Sequence, residues 1–303
     1  MSSEPAWPEP TLPPELGRHD PPPLRPVPST VVATWPVGTF VENLAPLPSG
    51  DLVVSVLSRN ELELVSPDGS RRLLASTPRP PAGIVTCDDA CFVLVGEPGT
   101  GPYQVLRVGF DGAETVWVSV PDARFLNGFT LVGPGTGCAV DSILGHVVRI
   151  DLERPGHEVV LAHELLTKSS SMPEIPAVNG VKRRNDELIL TNTERALVLR
   201  APLGPDGPTG EVEVIAENLR GDDLAIGVGG EVYVTTHIHN SLVRLDRDGA
   251  RVAIAGPDQG MAGSTACAFG AAGGLYVTTT GGVVMPLRGV TQPAKLVRLD
   301  VPS

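Results

Sequence analysis

Four short strings place oxygen-bearing side chains at a recurring point in the chain: ENLAP with Glu42 and Asn43, LNG with Asn127, VNG with Asn179, and GDD with Asp222 and Asp223. The carboxylates of Glu42 and Asp222 and the amides of Asn127 and Asn179 form a hard-oxygen set. Such a set suits Ca2+, with waters filling the remaining positions. The same groups can also exchange hydrogen bonds with an oxygenated ligand in a largely apolar channel, with no metal at all. Residue type leaves both uses open. Zinc is a poor fit, because no pair of histidines or cysteines falls in the set. Downstream of Asp223, THIHNS puts His237 at the end of an apolar strand and His239 two residues later. In extended chain, i and i+2 share a face, which would bring both imidazoles to one cavity. Imidazole is the side chain best suited to proton transfer near neutral pH, so His237 is the candidate acid or base.

A second tier surrounds these. Asp141, Ser142 and Thr193 follow apolar strands at the phase of His237, although strand-end capping would account for them equally. Phe125, Leu126 and Phe129 flank Asn127 as candidate apolar wall, although packing inside the fold is the commoner fate of such residues. NG is also a strong hairpin signal, so the asparagines have a bland reading as turn formers. There is no GxSxG elbow, no GxxxxGK[ST] loop and no HExxH, which removes a serine-hydrolase elbow, a nucleotide loop and a zincin site.

Something must gather residues as far apart as 42 and 222, and the chain repeats in a way that would do it. One strand recurs six times, an apolar run ending in charge and a turn: ELELVSPDG, QVLRVGFDG, GHVVRIDLE, LVLRAPLGPDG, SLVRLDRDG and KLVRLDVPS. Each is preceded by another apolar strand, DLVVSVL, CFVLVGE, GCAVDSI, ELILTNT, EVYVTTH and GLYVTTT, and five are followed by a third β-rich run. A period of 40 to 50 residues is the mark of a repeat architecture. The spacing predicts an all-β protein, a six-bladed β-propeller with four-stranded blades, rather than a sandwich. The missing sixth outer strand would leave a raw edge. TVVATW (30–35) has the composition to replace it, so the ring is expected to close by an N-terminal strand pairing with the last blade. Residues 1–28 then form a proline-rich tail and 29–303 the propeller. Aligning the innermost runs puts Glu42, Ala82, Asn127, Asn179, Asp222 and Ser264 at one height around the axis, where four oxygen-bearing side chains converge at a channel mouth.

Composition agrees and narrows the partners. Of 303 residues, 34 are glycine and 31 proline, which suits a turn-dense chain poor in long helices. A net charge of -12 argues against nucleic acid or an anionic membrane as partner and leaves a small molecule or a protein, a small-molecule substrate being the expectation. No segment reads as a secretory signal or a membrane span, and a cytoplasmic location is the expectation. Cys87, Cys91, Cys138 and Cys267 are too scattered for a disulfide framework, and free thiols are expected, the alternative being a local Cys87–Cys91 bridge.

The region from about Trp35 onward resembles the superfamily of six-bladed propellers that includes gluconolactonase, senescence marker protein, diisopropylfluorophosphatase and paraoxonase. That resemblance implies that Glu42, Asn127, Asn179 and Asp222 hold a catalytic Ca2+ or contact substrate beside it. The chain departs from the family's EGPxW motif, having ENLAP, and from PDG before the fourth ligand, having GDD. The strings GTFVENLAPLPSGDLVVSVLSRNELELVSP, ARFLNGFTL, NGVKRRNDELILTNT, GDDLAIGVGGEVYVTTHIHNSLVRL and LYVTTTGG are similar to a subgroup from natural-product clusters that includes fungal hetero-Diels-Alderases. This narrower resemblance implies a cyclase that closes a ring by [4+2] cycloaddition of a reactive polyene or enone, with no cofactor required. Its catalytic residues would be His237, Asn127, Asn179 and Asp222. Glu42, Asn43, Phe125, Phe129, Asp223, Asp141 and Thr193 would contact substrate. The alternative is a calcium-dependent lactonase or esterase, and a non-enzymatic interaction platform ranks last.

Overall fold

The computed structural model describes residues 11–13, 17–170, 172, 175–204, 207–209, 211–271 and 273–301. The chain makes six antiparallel sheets, each four strands deep from the axis outward. The first comprises Val41–Pro46, Leu52–Val56, Glu61–Val65 and Arg71–Ser76. The second runs Pro81–Thr86, Ala90–Val95, Tyr103–Gly109 and Glu114–Val120. Leu126–Gly133, Thr136–Asp141, His146–Asp151 and Gly156–Ala162 make the third. Val178–Arg184, Glu187–Asn192, Leu197–Gly204 and Glu213–Glu217 make the fourth, with Gly207–Pro208 as a short extension. The fifth holds Leu224–Ile226, Val232–Thr235, Leu242–Leu245 and Arg251–Ala255. In the sixth, Ser264–Phe269, Leu275–Thr279 and Pro293–Leu299 are completed by Ser29–Val37. The expected six-bladed propeller is therefore present.

The closing strand pairs antiparallel with Pro293–Leu299, Ser29 opposite Leu299 and Val37 opposite Pro293. It removes the edge that the last blade would otherwise expose. Trp35 is the rivet of this closure. It is 1% exposed, packs with residues of blades one and six, and its indole N–H donates to Glu63 Oε2 at 3.0 Å. The guanidinium of Arg71 lies 4.7 Å from its ring. Upstream, residues 23–28 continue along blades five and six, where Ala253 N donates to Pro23 O, Val27 N to Ile254 O and Asp300 N to Pro28 O.

The apolar alternation of the strands is spent between blades. Six apolar clusters fill the six seams, and the valine- and leucine-rich second strands lie at their centres, buried on both faces. All four cysteines are unbridged. Among the described residues no helix is long and apolar enough to cross a membrane.

Near the start of the inner strand of blades one, two, three, four and six, the pairing with the second strand skips, as between Val41 and Leu44 or Leu126 and Phe129. Such bulges release a strand from its ladder and re-aim its side chains. Register corrects one expectation: Ser264 is level with Val41 and Leu126, so Thr265 stands at the height of Glu42 and Asn127. It also corrects the turn reading of NG. Gly128 lies inside its strand, and a Cβ there would meet the carbonyl oxygen of Asn179 at 2.3 Å. Glycine is needed because neighbouring inner strands approach too closely for a side chain.

Candidate functional site

The released positions bring Asn127, Asn179 and Asp222 into one hydrogen-bonded row across three blades. Asn127 Nδ2 donates to Asn179 Oδ1 at 2.5 Å, and Asn179 Nδ2 donates to Asp222 Oδ1 at 2.7 Å. Asn179 Nδ2 also donates to Thr193 Oγ1 at 2.9 Å, and that hydroxyl donates to Gly221 O. Both hydrogens of the Asn179 amide are thereby spent, which settles its orientation. Asp222 Oδ2 lies 3.0 Å from His237 Nδ1. A carboxylate has only lone pairs to offer, so Nδ1 carries the hydrogen, and in the neutral imidazole Nε2 keeps a lone pair. His237 Nε2 is buried and has no hydrogen-bond partner among the described residues, and the Phe40 ring lies 5.7 Å away, centroid to centroid.

The acidic residues crowd one another. Burial raises the Glu42 carboxyl well above the usual carboxylate range, and the charges of Asp222 and then Asp223 push it further. Burial also raises Asp223, opposed by Lys182. Lys182 Nζ sits 3.0 Å from both Asp223 oxygens, and Asn43 Nδ2 is 3.5 Å from Oδ2. Asn43 Oδ1 accepts from the Leu44 amide at 2.9 Å.

A calcium-class cation can be tested against this set. No group of three or more His, Cys, Asp or Glu side chains is placed to hold a metal among the described residues, so any metal would need the asparagine oxygens. The donors fit a hard cation by type, and a dication would favour the ionised Glu42 that burial, and then Asp222 and Asp223, disfavour. Without one, the row from Asn127 to Asp222 is satisfied by its own hydrogen bonds.

Three expected residues lie elsewhere. Asp141 accepts from the backbone amides of Arg124, Phe125, Ile143 and Leu144, so it ties together the turns on either side of the blade-three strands. Phe125 packs beside Tyr103 in the seam between blades two and three, with ring centroids 6.3 Å apart. Phe129 is 2% exposed in the same seam and borders the channel end remote from Glu42. His239 also parts from His237. A turn in which His239 N donates to Thr236 O ends the strand alternation, and the His239 ring stacks on His19 at 3.7 Å. Burial and then Arg220 push His239 down to about 3.

Two residues were not anticipated. Lys182 stands three positions after Asn179, at inner-strand spacing, and that phase was the only sign of it. Arg220 is 1% exposed and ties the site to its surroundings. Its Nη1 donates to Thr193 O and, at 3.0 Å, to Glu194 O, while Nη2 donates to Gly17 O. Nothing in the local string NLRGDD distinguishes this arginine from an exposed one.

No protein-family model matches the chain, and no curated protein matches it. Solved structures do. A calcium-binding regucalcin from Agrobacterium tumefaciens superposes with a TM-score of 0.69 at 15% identity, covering 92% of this chain and 95% of that one. A gluconolactonase from Xanthomonas campestris gives 0.68 at 14% identity, covering 94% and 96%. The PQQ-bound aldose sugar dehydrogenase from Streptomyces coelicolor gives 0.61 at 15% identity, covering 92% and 100%. At these identities the likeness is one of fold. This chain is a six-bladed β-propeller built like those of regucalcin and gluconolactonase.

Proposed function

We propose that the chain is an enzyme acting on a small oxygenated molecule at the Glu42–Asp222 mouth, and that its reaction is hydrolysis of a lactone or ester. The observation that carries this reading is His237: Nδ1 is held by Asp222, and Nε2 is buried without a partner among the described residues. A base oriented through one nitrogen and open at the other is the arrangement general-base catalysis requires. His237 Nε2 takes the proton of the attacking water as its oxygen bonds to the carbonyl carbon. The same proton returns to the leaving oxygen as the ester bond breaks. Asn127 has a second amide hydrogen beyond the one given to Asn179, and this can donate to the carbonyl oxygen as negative charge grows there. Asn179 and Thr193 hold that row in place. Glu42, Asn127, Asn179 and Asp222 would hold a calcium-class cation, which when bound polarises the ester carbonyl. The likeness to a gluconolactonase supports this choice of reaction, and the likeness to a calcium-binding regucalcin supports the choice of cation.

The test is a panel of lactones and aryl esters assayed with added Ca2+ and after chelation. Turnover that chelation lowers and His237→Ala abolishes supports the reading. Absence of hydrolysis across the panel, or hydrolysis indifferent to His237→Ala, refutes it.

A second reading, a ring-closing cyclase, is favoured by one observation: the asparagine–aspartate row is complete without a cation. In it, the site would orient a polyene or enone and hydrogen-bond its carbonyl, and orientation alone lowers a barrier substantially. Chelation would leave such an activity unchanged.

A further inference from the structure

We propose that the opposite end of the axial channel is a second ligand site, which takes an elongated apolar molecule ending in one carboxylate. The inner strands all run the same way, from the Glu42–Asp222 end to Pro46, Thr86, Arg183 and Phe269. There they surround a cavity of about 350 Å³ to which each blade contributes, through Leu44, Ile84, Phe129, Lys182, Ala225 and Cys267. That volume is within the range of clefts that enclose small ligands, and such clefts are mostly apolar with a few placed polar groups. The wall follows that pattern, being aliphatic and aromatic apart from two threonines, one cysteine and two cations.

The cations argue for the head group. On a chain of net charge -12, the charged residues of this wall are Lys182 and Arg183, with no carboxylate among them. Lys182 reaches from the wall to Asp223, whose side chain is 7% exposed. An ammonium has three hydrogens, and the single Asp223 carboxylate leaves it a donor to spare. Arg183 uses Nε on Asn185 O and Nη1 on Val132 O, which leaves its second Nη. A carboxylate at this mouth meets the Arg183 guanidinium and the remaining hydrogen of a Lys182 already paired with Asp223, while its chain lies against the apolar wall. The proposal is independent of the hydrolytic reading, since it concerns the other end of the channel.

Isothermal titration of the full chain with decanoate, with decanol as the uncharged comparison, tests it. The expected result is saturable one-to-one binding of decanoate that is at least tenfold tighter than that of decanol. Arg183→Gln should weaken it several-fold, Ala268→Trp should fill the cavity and block it, and His237→Ala should leave it unchanged. Lys182→Met should weaken it at least tenfold, but it also strands the buried Asp223. Arg183→Gln and Ala268→Trp, checked by thermal melting, therefore decide the matter if Lys182→Met fails to fold. Absence of saturable binding, equal binding of decanol, binding that survives Ala268→Trp, or binding lost in His237→Ala would each overturn the proposal.

Discussion

Asp222→Asn isolates the role assigned to the Asp222–His237 pair, because it changes charge and hydrogen-bond polarity while almost preserving shape. In the native chain Oδ1 accepts from Asn179 at 2.7 Å and Oδ2 accepts from His237 Nδ1 at 3.0 Å. An asparagine keeps both contacts only one way round, with its oxygen toward Asn179 and its amide toward His237. The second contact then runs in reverse. His237 Nδ1 becomes the acceptor, its hydrogen moves to Nε2, and the lone pair needed for general-base work is lost. The fold should tolerate this. Weakening two charge-assisted hydrogen bonds to neutral ones costs about 1 kcal/mol each, and relief of the repulsion between Asp222 and Glu42 offsets part of it. At about 2 °C per kcal/mol for a chain of this size, the melting temperature should fall by only a few degrees. The hydrolysis rate should fall by about 10²- to 10⁴-fold, the span set by loss of a positioned base or reversal of its tautomer. Three measurements suffice: thermal melting, kcat/KM for the best ester or lactone, and nitrogen chemical shifts of His237 to locate the hydrogen. A folded variant that loses less than about tenfold in rate, or a native His237 with its hydrogen on Nε2, would refute the reasoning.

The remaining expectations follow from the same geometry. Glu42→Gln removes a carboxyl whose ionisation burial, and then Asp222 and Asp223, disfavour. A raised carboxyl stabilises the fold below its unfolded value and withdraws that support as pH rises, so the variant should gain melting temperature relative to the parent at pH 8 and not at pH 4. Calcium should narrow the gap if it binds. Gly128→Ala places a Cβ 2.3 Å from a backbone oxygen of the next blade, and a loss of about 1–3 kcal/mol in denaturant unfolding is expected. Trp35→Ala empties the closure between blades six and one and should cost about 3–5 kcal/mol, read by thermal melting. His239, held down to about 3, binds no proton in the fold until well below its unfolded value near 6.5. Its contribution should therefore be complete above about pH 6.5 and lost between there and pH 3, and His239→Phe should flatten that part of the stability profile.

Much of the architecture was legible because a propeller writes itself locally. Each blade repeats its strands and turns within 40 to 50 residues, so six copies, and the missing outer strand that Ser29–Val37 supplies, could be counted along the chain. Repetition also supplied the phase that selected Glu42, Asn127, Asn179 and Asp222. Where the repeat is interrupted, phase lost its hold. Blade six makes the same skip as blade one, which sets Thr265 rather than Ser264 level with Glu42, and the turn after Thr236 carried His239 away from His237. Asp141 has the chemistry of a site residue, yet its oxygens are consumed by four backbone amides.

The sequence by itself determined the number of blades, the way the ring closes and which oxygen-bearing side chains share a height, since all of these are periodic along the chain. Only the tertiary structure decided that Asp222 holds His237, that Lys182 spans to Asp223 and that Arg220 joins Gly17 to Thr193. The reason is physical: these contacts depend on bulges and turns that aim side chains from separate strands and loops at one another. Geometry of that kind leaves no period in the chain.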